Sequence, residues 1–495
     1  MRPEMQTLIP LFVALPLTLS VLIQLFARRR AALAAWLAGL TMLALMLMGL
    51  ATIGAVTGRE VIYNMGGWNT PIGIDLRMDS LTSLLLVTIN TVGLAVVLYA
   101  ADYMRQFTAR PRFYSLFLLM VTGMNGVVMT GDLFNLYVFL EISAIASYSL
   151  VAFGCEQEEL EASFKYIVLG SVSSALILVA LALMYGVTGA LNMAQVSGRV
   201  AESGMDAPLV LAFSLFICGF AFKAALVPFH AWLPDAHPAA PAPVSAMLSG
   251  VLIKAIGIYV LARLIFNVFG AEANILSLLC WLGVVSMVVG GLMAVGQEDI
   301  KRMFAYSSIS QVGFIILGLG LATPLGLAGA LYHLVNHSMF KSLLFLNAGA
   351  VEYCTGTRKL DELGGLNRAM PVTGATSLIG SMSIAGIPPF NGFWSKLIII
   401  LACVQAGRYG FAVIAVLVSI VTLGYQLKVQ RGAFFADLPL ALAKVKREPP
   451  LMKLSMVLLA AGCIALSFAV ITGFNDPWLV GEARDVLSGG TFGGR

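Results

Sequence analysis

The hydrophobic positions of this chain come in long unbroken runs separated by short polar links, and neither a period of 2 nor a one-sided stripe of period 3.6 organises them. Runs of about 17 to 25 apolar residues can cross a hydrocarbon layer of roughly 30 Å as helices. About fourteen fit the 495-residue chain, near 5–26, 31–57, 79–103, 112–130, 132–154, 161–186, 207–230, 239–268, 274–296, 302–321, 324–352, 370–402, 408–432 and 452–473. The pattern predicts an all-α polytopic membrane protein. Composition agrees, with 59% of residues hydrophobic and 11% charged, against about 25% charged in soluble domains.

Charge then orients the runs. If the first begins outside, eighteen of the thirty Lys and Arg residues flank cytoplasmic links, among them Arg28, Arg29, Arg30, Arg105, Arg110, Arg112, Lys301, Arg358 and Lys444. Eight flank the other side: Arg2, Arg59, Arg77, Arg199, Arg263, Arg408, Arg484 and Arg495. An excess of cations marks the cytoplasmic side, so both termini are expected outside, in a multi-pass protein of a prokaryotic cell membrane. The formal net charge of +5 is this topology signal and gives no argument for nucleic acid. The first run has its basic end after it and no A-x-A site follows, so it reads as a retained span. The six cysteines stand singly, with no C-x-x-C and no adjacent histidine, which argues against cysteine-zinc and iron-sulfur sites. No cofactor or metal is expected.

What changes the picture is charge inside the runs. Between Gly219 and Tyr259 two apolar segments, each with one lysine near its middle, Lys223 and Lys254, are joined by the link VPFHAWLPDAHPAAPAP. A lone ammonium in a spanning helix costs about 2.5 to 3.5 kcal/mol on insertion scales, so such residues face a partner or a wet path. Pro228 lacks an N–H and clashes one turn back, so the helix should break beside Lys223. Irregular backbone at membrane depth and a nearby cation together predict a transport site. Glu141 sits well inside the fifth run, and Lys223 is its expected partner; the plainer alternative is an ion pair that only fixes register. Asp75 and Asp79 at the third run, and the acidic group Glu156, Glu158, Glu159 and Glu161, read as helix N-terminal caps.

In the eleventh run His333, His337 and Lys341 recur at i, i+4 and i+8, which lines them along one helical face. Histidine titrates near neutral pH and suits a proton relay; two histidines without a third ligand argue against a metal. Core histidines bonded to backbone, and a snorkelling Lys341, are the plainer alternatives. The twelfth run repeats the theme: Pro388 and Pro389 lie between Gly386 and Gly392, and Lys396 follows. Two interrupted segments in corresponding positions point to inverted repeats.

The stretches FKAALVPFHAWLPDAHPAAPAPVSAMLSGVLIK, YHLVNHSMFKSLLFLNAG and GIPPFNGFWSKL resemble the antiporter-like subunits shared by respiratory complex I, Mrp-type sodium/proton antiporters and membrane-bound hydrogenases, over roughly residues 75–435. The resemblance implies fourteen helices with two inverted five-helix repeats and a charged axis at mid-membrane depth. By motif, Glu141 and Lys223 look like the family's glutamate-lysine pair, Lys254 like its central lysine, Lys396 like its terminal lysine, and His333 and His337 like the bridging histidines. It divides the chain into an N-terminal three-helix segment (1–110), two repeats (111–268 and 269–432), and a last helix with a short tail (433–495). One complex I member of the family has glutamate at the position of Lys396, and the chain stops soon after its last run. Both features point to the D-type component of an Mrp antiporter or its counterpart in a hydrogenase-like complex.

Three functions follow as expectations. First is a proton or proton/sodium translocating component of a multisubunit antiporter, with other membrane subunits as partners. Second is the same module driven by a redox complex such as a hydrogenase or NADH:quinone oxidoreductase. Third is a solitary solute transporter. No G-x-G-x-x-G fingerprint opens a helix, so no redox or catalytic site is expected on this chain.

Overall fold

The computed structural model describes residues 3–439, 442, 445–471 and 478–492. Arg2, Lys444 and Arg495 of the basic count, and the last two residues of the 452–473 run, lie outside them. Most of the apolar runs fold as helices whose ends lie within a few residues of those expected, but the 207–230 run stops at Lys223 and the 370–402 run is split at 386–390. In order these are α1 (Leu11–Phe26), α2 (Ala31–Ile53), α3 (Ser80–Tyr103), α4 (Arg110–Met129), α5 (Leu133–Val151) and α6 (Gln157–Thr188), then the short α7 (Met193–Ser203), α8 (Ala207–Lys223) and α9 (Leu233–Ala239). There follow α10 (Ala242–Phe269), α11 (Ala273–Val295), α12 (Ile300–Leu321), α13 (Pro324–Thr355), α14 (Pro371–Ala385), α15 (Asn391–Gln405), α16 (Tyr409–Phe435), α17 (Pro450–Ile471) and α18 (Trp478–Ser488). Eleven helices among the described residues are long and apolar enough to cross a membrane, and α8 and α15 are shorter apolar pieces.

Seven of the described helix starts (α3, α5, α6, α7, α8, α12 and α13) have a side-chain oxygen where the first backbone N–H groups lack partners. Asp79 accepts from Thr82 N at 2.9 Å, Asp132 from Asn135 N at 2.8 Å, and Asp299 from Arg302 N at 2.9 Å. Glu156 and Glu159 form a reciprocal capping box at α6, as the acidic run led one to expect. Asp75 corrects the same reading. It lies in a hairpin, Val61–Asn64 against Asp75–Met78, and binds Arg77 Nε and Asn192 Nδ2, both at 2.8 Å. The hairpin falls in a polar link that hydropathy alone leaves blank. It is stitched to the α4–α5 link by Gly131 N on Asp75 O, and that link to the start of α7 by Met193 N on Gly131 O.

The first three runs also carry more chemistry than their sequence suggests. Arg263, counted as an outer flank, is buried within α10 and places Nη2 2.6 Å from both carboxylate oxygens of Asp79. The expected short tail contains α18, which docks here: Ser80 donates to Glu482 at 3.1 Å, and Asn267 donates to Val486 O and Gly490 O. At the opposite end of the bundle Arg358 reaches Glu158, Asp299 and the carbonyl of Pro238, and Lys301 is buried on Ala240 O at 2.9 Å. Residues assigned to one side by the basic count thus meet at one end.

Two helices form the interior. All of α10 is buried, and α13 is buried from Gly326 to Val351. Membrane helices approach closely where residues are small, and Gly257 of α10 faces the backbone of Ala224, just past α8; a Cβ there would sit 2.7 Å from Ala224 N and Cα.

Candidate functional site

Glu141 is the ninth residue of the nineteen in α5, and Lys223 is the last residue of α8. The lysine is therefore not mid-helix as the run suggested. The helix stops at it, the chain turns through 224–232 with Pro228 in the break, and α9 resumes at Leu233. Trp232 Nε1 takes up the carbonyl of Phe222 at 3.1 Å, one of the acceptors that a helix end leaves open. Lys223 Nζ and Glu141 Oε1 are 4.0 Å apart, and a third residue completes the pair. Ser174 of α6 donates to Glu141 Oε1 and accepts from Lys223 Nζ at 3.1 Å, while Gly170 O lies 3.4 Å from the same ammonium. Ser174 was missed from sequence because serine in an apolar helix carries no pattern of its own. The lysine side chain is 4% exposed and the glutamate 27%, so the carboxylate opens toward the outer face of the bundle.

Lys254 opens a π-helical stretch, Lys254–Tyr259, that follows another at Leu248–Leu252. Wide turns displace carbonyls from their usual bonds, and Lys254 Nζ donates to one of them, Ser249 O. Among the described residues no direct contact joins Lys254 to Lys223; the close crossing at Gly257 and Ala224 couples their helices.

On α13, His333, His337 and Lys341 share one face and all are fully buried. His333 Nδ1 is 2.8 Å from Ser395 Oγ on α15, and its ring centroid is 6.3 Å from that of His337. His337 and the Lys341 ammonium have no hydrogen-bond partner among the described residues. Lys341 Nζ instead lies over the rings of Phe304 and Phe345, at 5.4 and 5.7 Å. Snorkelling is thereby removed as an account of Lys341, and backbone bonding as an account of the histidine side chains. The His337 ring packs against Phe340, with centroids 5.4 Å apart.

Lys396 sits in the second turn of α15. Its Nζ donates to Ile384 O at 2.8 Å and lies 4.8 Å from the centroid of Phe314, whose ring also neighbours His333 at 5.8 Å. Ile384 lies in the last turn of α14, so the break at 386–390, which contains Pro388 and Pro389, exposes a C-terminal carbonyl to the ammonium. A cation is stabilised at the negative end of a helix dipole. A second residue passed over in the sequence, His237 of α9, is fully buried, with neither ring nitrogen hydrogen-bonded among the described residues, and it faces Phe345, the ring shared with Lys341. Its signal was available, as the only histidine between the two prolines of PDAHP.

Titratable groups on six helices are therefore gathered in the interior among hydroxyls, carbonyls and rings. The profile of a family described as NADH:quinone oxidoreductase/Mrp antiporter, transmembrane region, matches residues 130–422. The chain belongs to this family. A second profile, described as the N-terminus of complex I chain 5, matches residues 65–114. Family members similar to the chain include the N-type subunit of NADH-quinone oxidoreductase from Desulforudis audaxviator, 38% identical over 90% of this chain and 89% of that protein. Another is the D-type subunit of the Na(+)/H(+) antiporter from Alkalihalophilus pseudofirmus, 35% identical over 82% and 83%. Among solved structures, a chain of the Mrp complex from a Dietzia species superposes with a TM-score of 0.91 at 29% identity, covering 98% of both chains. A chain of an archaeal membrane-bound sulfane sulfur reductase gives 0.89 at 33%, again over 98% of both. The last two are multisubunit membrane complexes.

Proposed function

We propose that this family member is the ion-translocating membrane component of a multisubunit cation/proton antiporter, with protons, or protons and sodium, as its cargo. Glu141 and Lys223 form the first station of the relay, Lys254, Lys341, His333 and His337 the centre, and Lys396 the last. The carrying observation is that, among the described residues, Lys254, Lys341 and Lys396 are buried on neutral groups alone, a carbonyl or aromatic faces. A cation with no counter-ion is sensitive to every charge that arrives nearby. Moving one charge against 100 mV is worth about 2.3 kcal/mol, and a close opposite charge alters a protonation equilibrium by about 1.4 to 4 kcal/mol. One protonation event at Glu141 is therefore large enough to be felt at the next lysine.

The same proposal takes 111–268 and 269–432 as inverted repeats, supported by the two breaks, each beside a lysine. It takes the end bearing Arg358 as cytoplasmic, supported by the basic excess, and the membrane as the prokaryotic cell membrane. The relatives named for NADH-quinone oxidoreductase and sulfane sulfur reductase favour a second reading, in which electron transfer elsewhere in the complex powers the same relay.

Everted vesicles containing the complete native complex separate the two readings. With no electron donor present, sodium addition should dissipate an imposed pH gradient, and Lys396→Arg should remove most of that flux while the complex still assembles, because arginine keeps its proton at any physiological pH. Proton movement seen only with an electron donor would move the chain to the redox-driven reading, and near-normal flux in Lys396→Arg would leave Lys396 as a scaffold charge.

A further inference from the structure

Away from the relay, a cleft between α2, α3 and α4 at the basic end is built with one polar end and apolar walls. Small residues of α2, among them Ala32, Ala35 and Gly39, leave space against Leu94 and Leu98 of α3. A Cβ at Gly39 would meet nothing within 4 Å. The cleft encloses about 570 Å³, inside the range of roughly 300 to 1,000 Å³ usual for ligand pockets. Arg105 and Arg110 line its charged end. The Arg28–Arg30 link stands alongside, since Gln24 at the end of α1 donates to Pro111 O at 3.3 Å. Arg105 is ion-paired to Asp102 at 2.9 Å but remains 65% exposed. Arg110 has no such partner: its Nε–H is buried with no acceptor among the described residues. Trp36, 70% exposed, stands at the cleft less than two turns into α2, the depth at which indoles settle in a bilayer interface.

We propose that this cleft binds an anionic glycerophospholipid, with its phosphodiester on Arg105 and Arg110 and one acyl chain along Ala35 and Gly39. Basic pockets between membrane helices recognise anionic head groups, and an acyl chain supplies the apolar filling that the glycine and alanines omit. A transmembrane helix of another protein in the complex could cover the apolar walls, but an ordinary apolar helix brings no anion to the buried Arg110 donor.

The test uses the purified complex. With a photo-crosslinking residue in place of Leu40, which lines the cleft, irradiation should yield adducts with the mass of phosphatidylglycerol or cardiolipin. Native mass spectrometry after exchange into detergent with phosphatidylethanolamine should still find anionic lipid bound. The double variant Arg105→Ala, Arg110→Ala should lower that retention by about tenfold, and Gly39→Leu should do the same with both arginines in place. Crosslinks to a polypeptide or to phosphatidylethanolamine, or equal retention in the native complex and both variants, would overturn the proposal. The crosslink, made with both arginines present, decides the matter if either variant fails to assemble.

Discussion

An ammonium at the centre of a membrane helix costs about 2.5 to 3.5 kcal/mol on insertion scales, and one hydrogen bond to a charged group returns about 1.5 to 3 kcal/mol. Lys254 and Lys396, with one carbonyl each, stand close to balance. That is the useful condition for a relay, because a modest change next door then decides the charge. In the relay proposed above, the hydroxyl of Ser174 is the atom that bridges the first pair, donating to Glu141 and accepting from Lys223. Ser174→Ala should leave both charges unbridged and, at about 1.4 kcal/mol per tenfold, lower transport roughly tenfold in vesicles. Ser174→Thr should retain most of it, and unchanged flux in the alanine variant would reduce Ser174 to packing. Every ionisable member of the group except His237 could be read from sequence, because charge in an apolar run is conspicuous. The hydroxyls and carbonyls that seat them could not, because serine is common in membrane helices and a carbonyl belongs to every residue.

At the scale of elements, the breaks do more than admit water. Each ends a helix where its carbonyls become acceptors: Phe222 O for Trp232, and Ile384 O for Lys396. Prolines announced both breaks, but nothing in the sequence announced the π-helical turns of α10, since an extra residue per turn leaves no compositional trace. Nor did hydropathy announce the hairpin or α18, whose residues are too polar to enter the count of runs. Where α10 crosses the first break, Gly257→Ala would bring a methyl within 2.8 Å of Ala224. Overpacking of this kind costs about 1 to 3 kcal/mol. It should lower the thermal midpoint of the purified complex and, by separating Lys223 from Lys254, reduce flux further than assembly. Unaltered midpoint and flux would show that the crossing is loose.

For the whole molecule, residues placed on one side by the basic count meet at one end, Arg358 on Glu158 and Asp299, while the hairpin and α18 close the other. In a background lacking native cysteines, Ile72→Cys, at a position 81% exposed in the hairpin link, should react with an impermeant thiol reagent from outside, and Arg29→Cys and Arg447→Cys should not. The reverse pattern would invert the orientation. The burial of α10 on every side also sets an order of events during synthesis. When this helix leaves the ribosome both of its cations can be answered, because Asp79, the partner of Arg263, has already been made and Lys254 donates to Ser249 O five residues earlier on the same helix. What must wait is the cover that α13 gives this helix, where Ser342 donates to Ala246 O at 3.0 Å; Ser342 is 96 residues past Ala246, a delay of roughly 5 to 19 s at about 5 to 20 residues per second. Nascent chains ending after residue 270 should therefore be degraded quickly in pulse-chase labelling, and chains ending after residue 355 should persist, so that quality control reads the seam between the two interior helices.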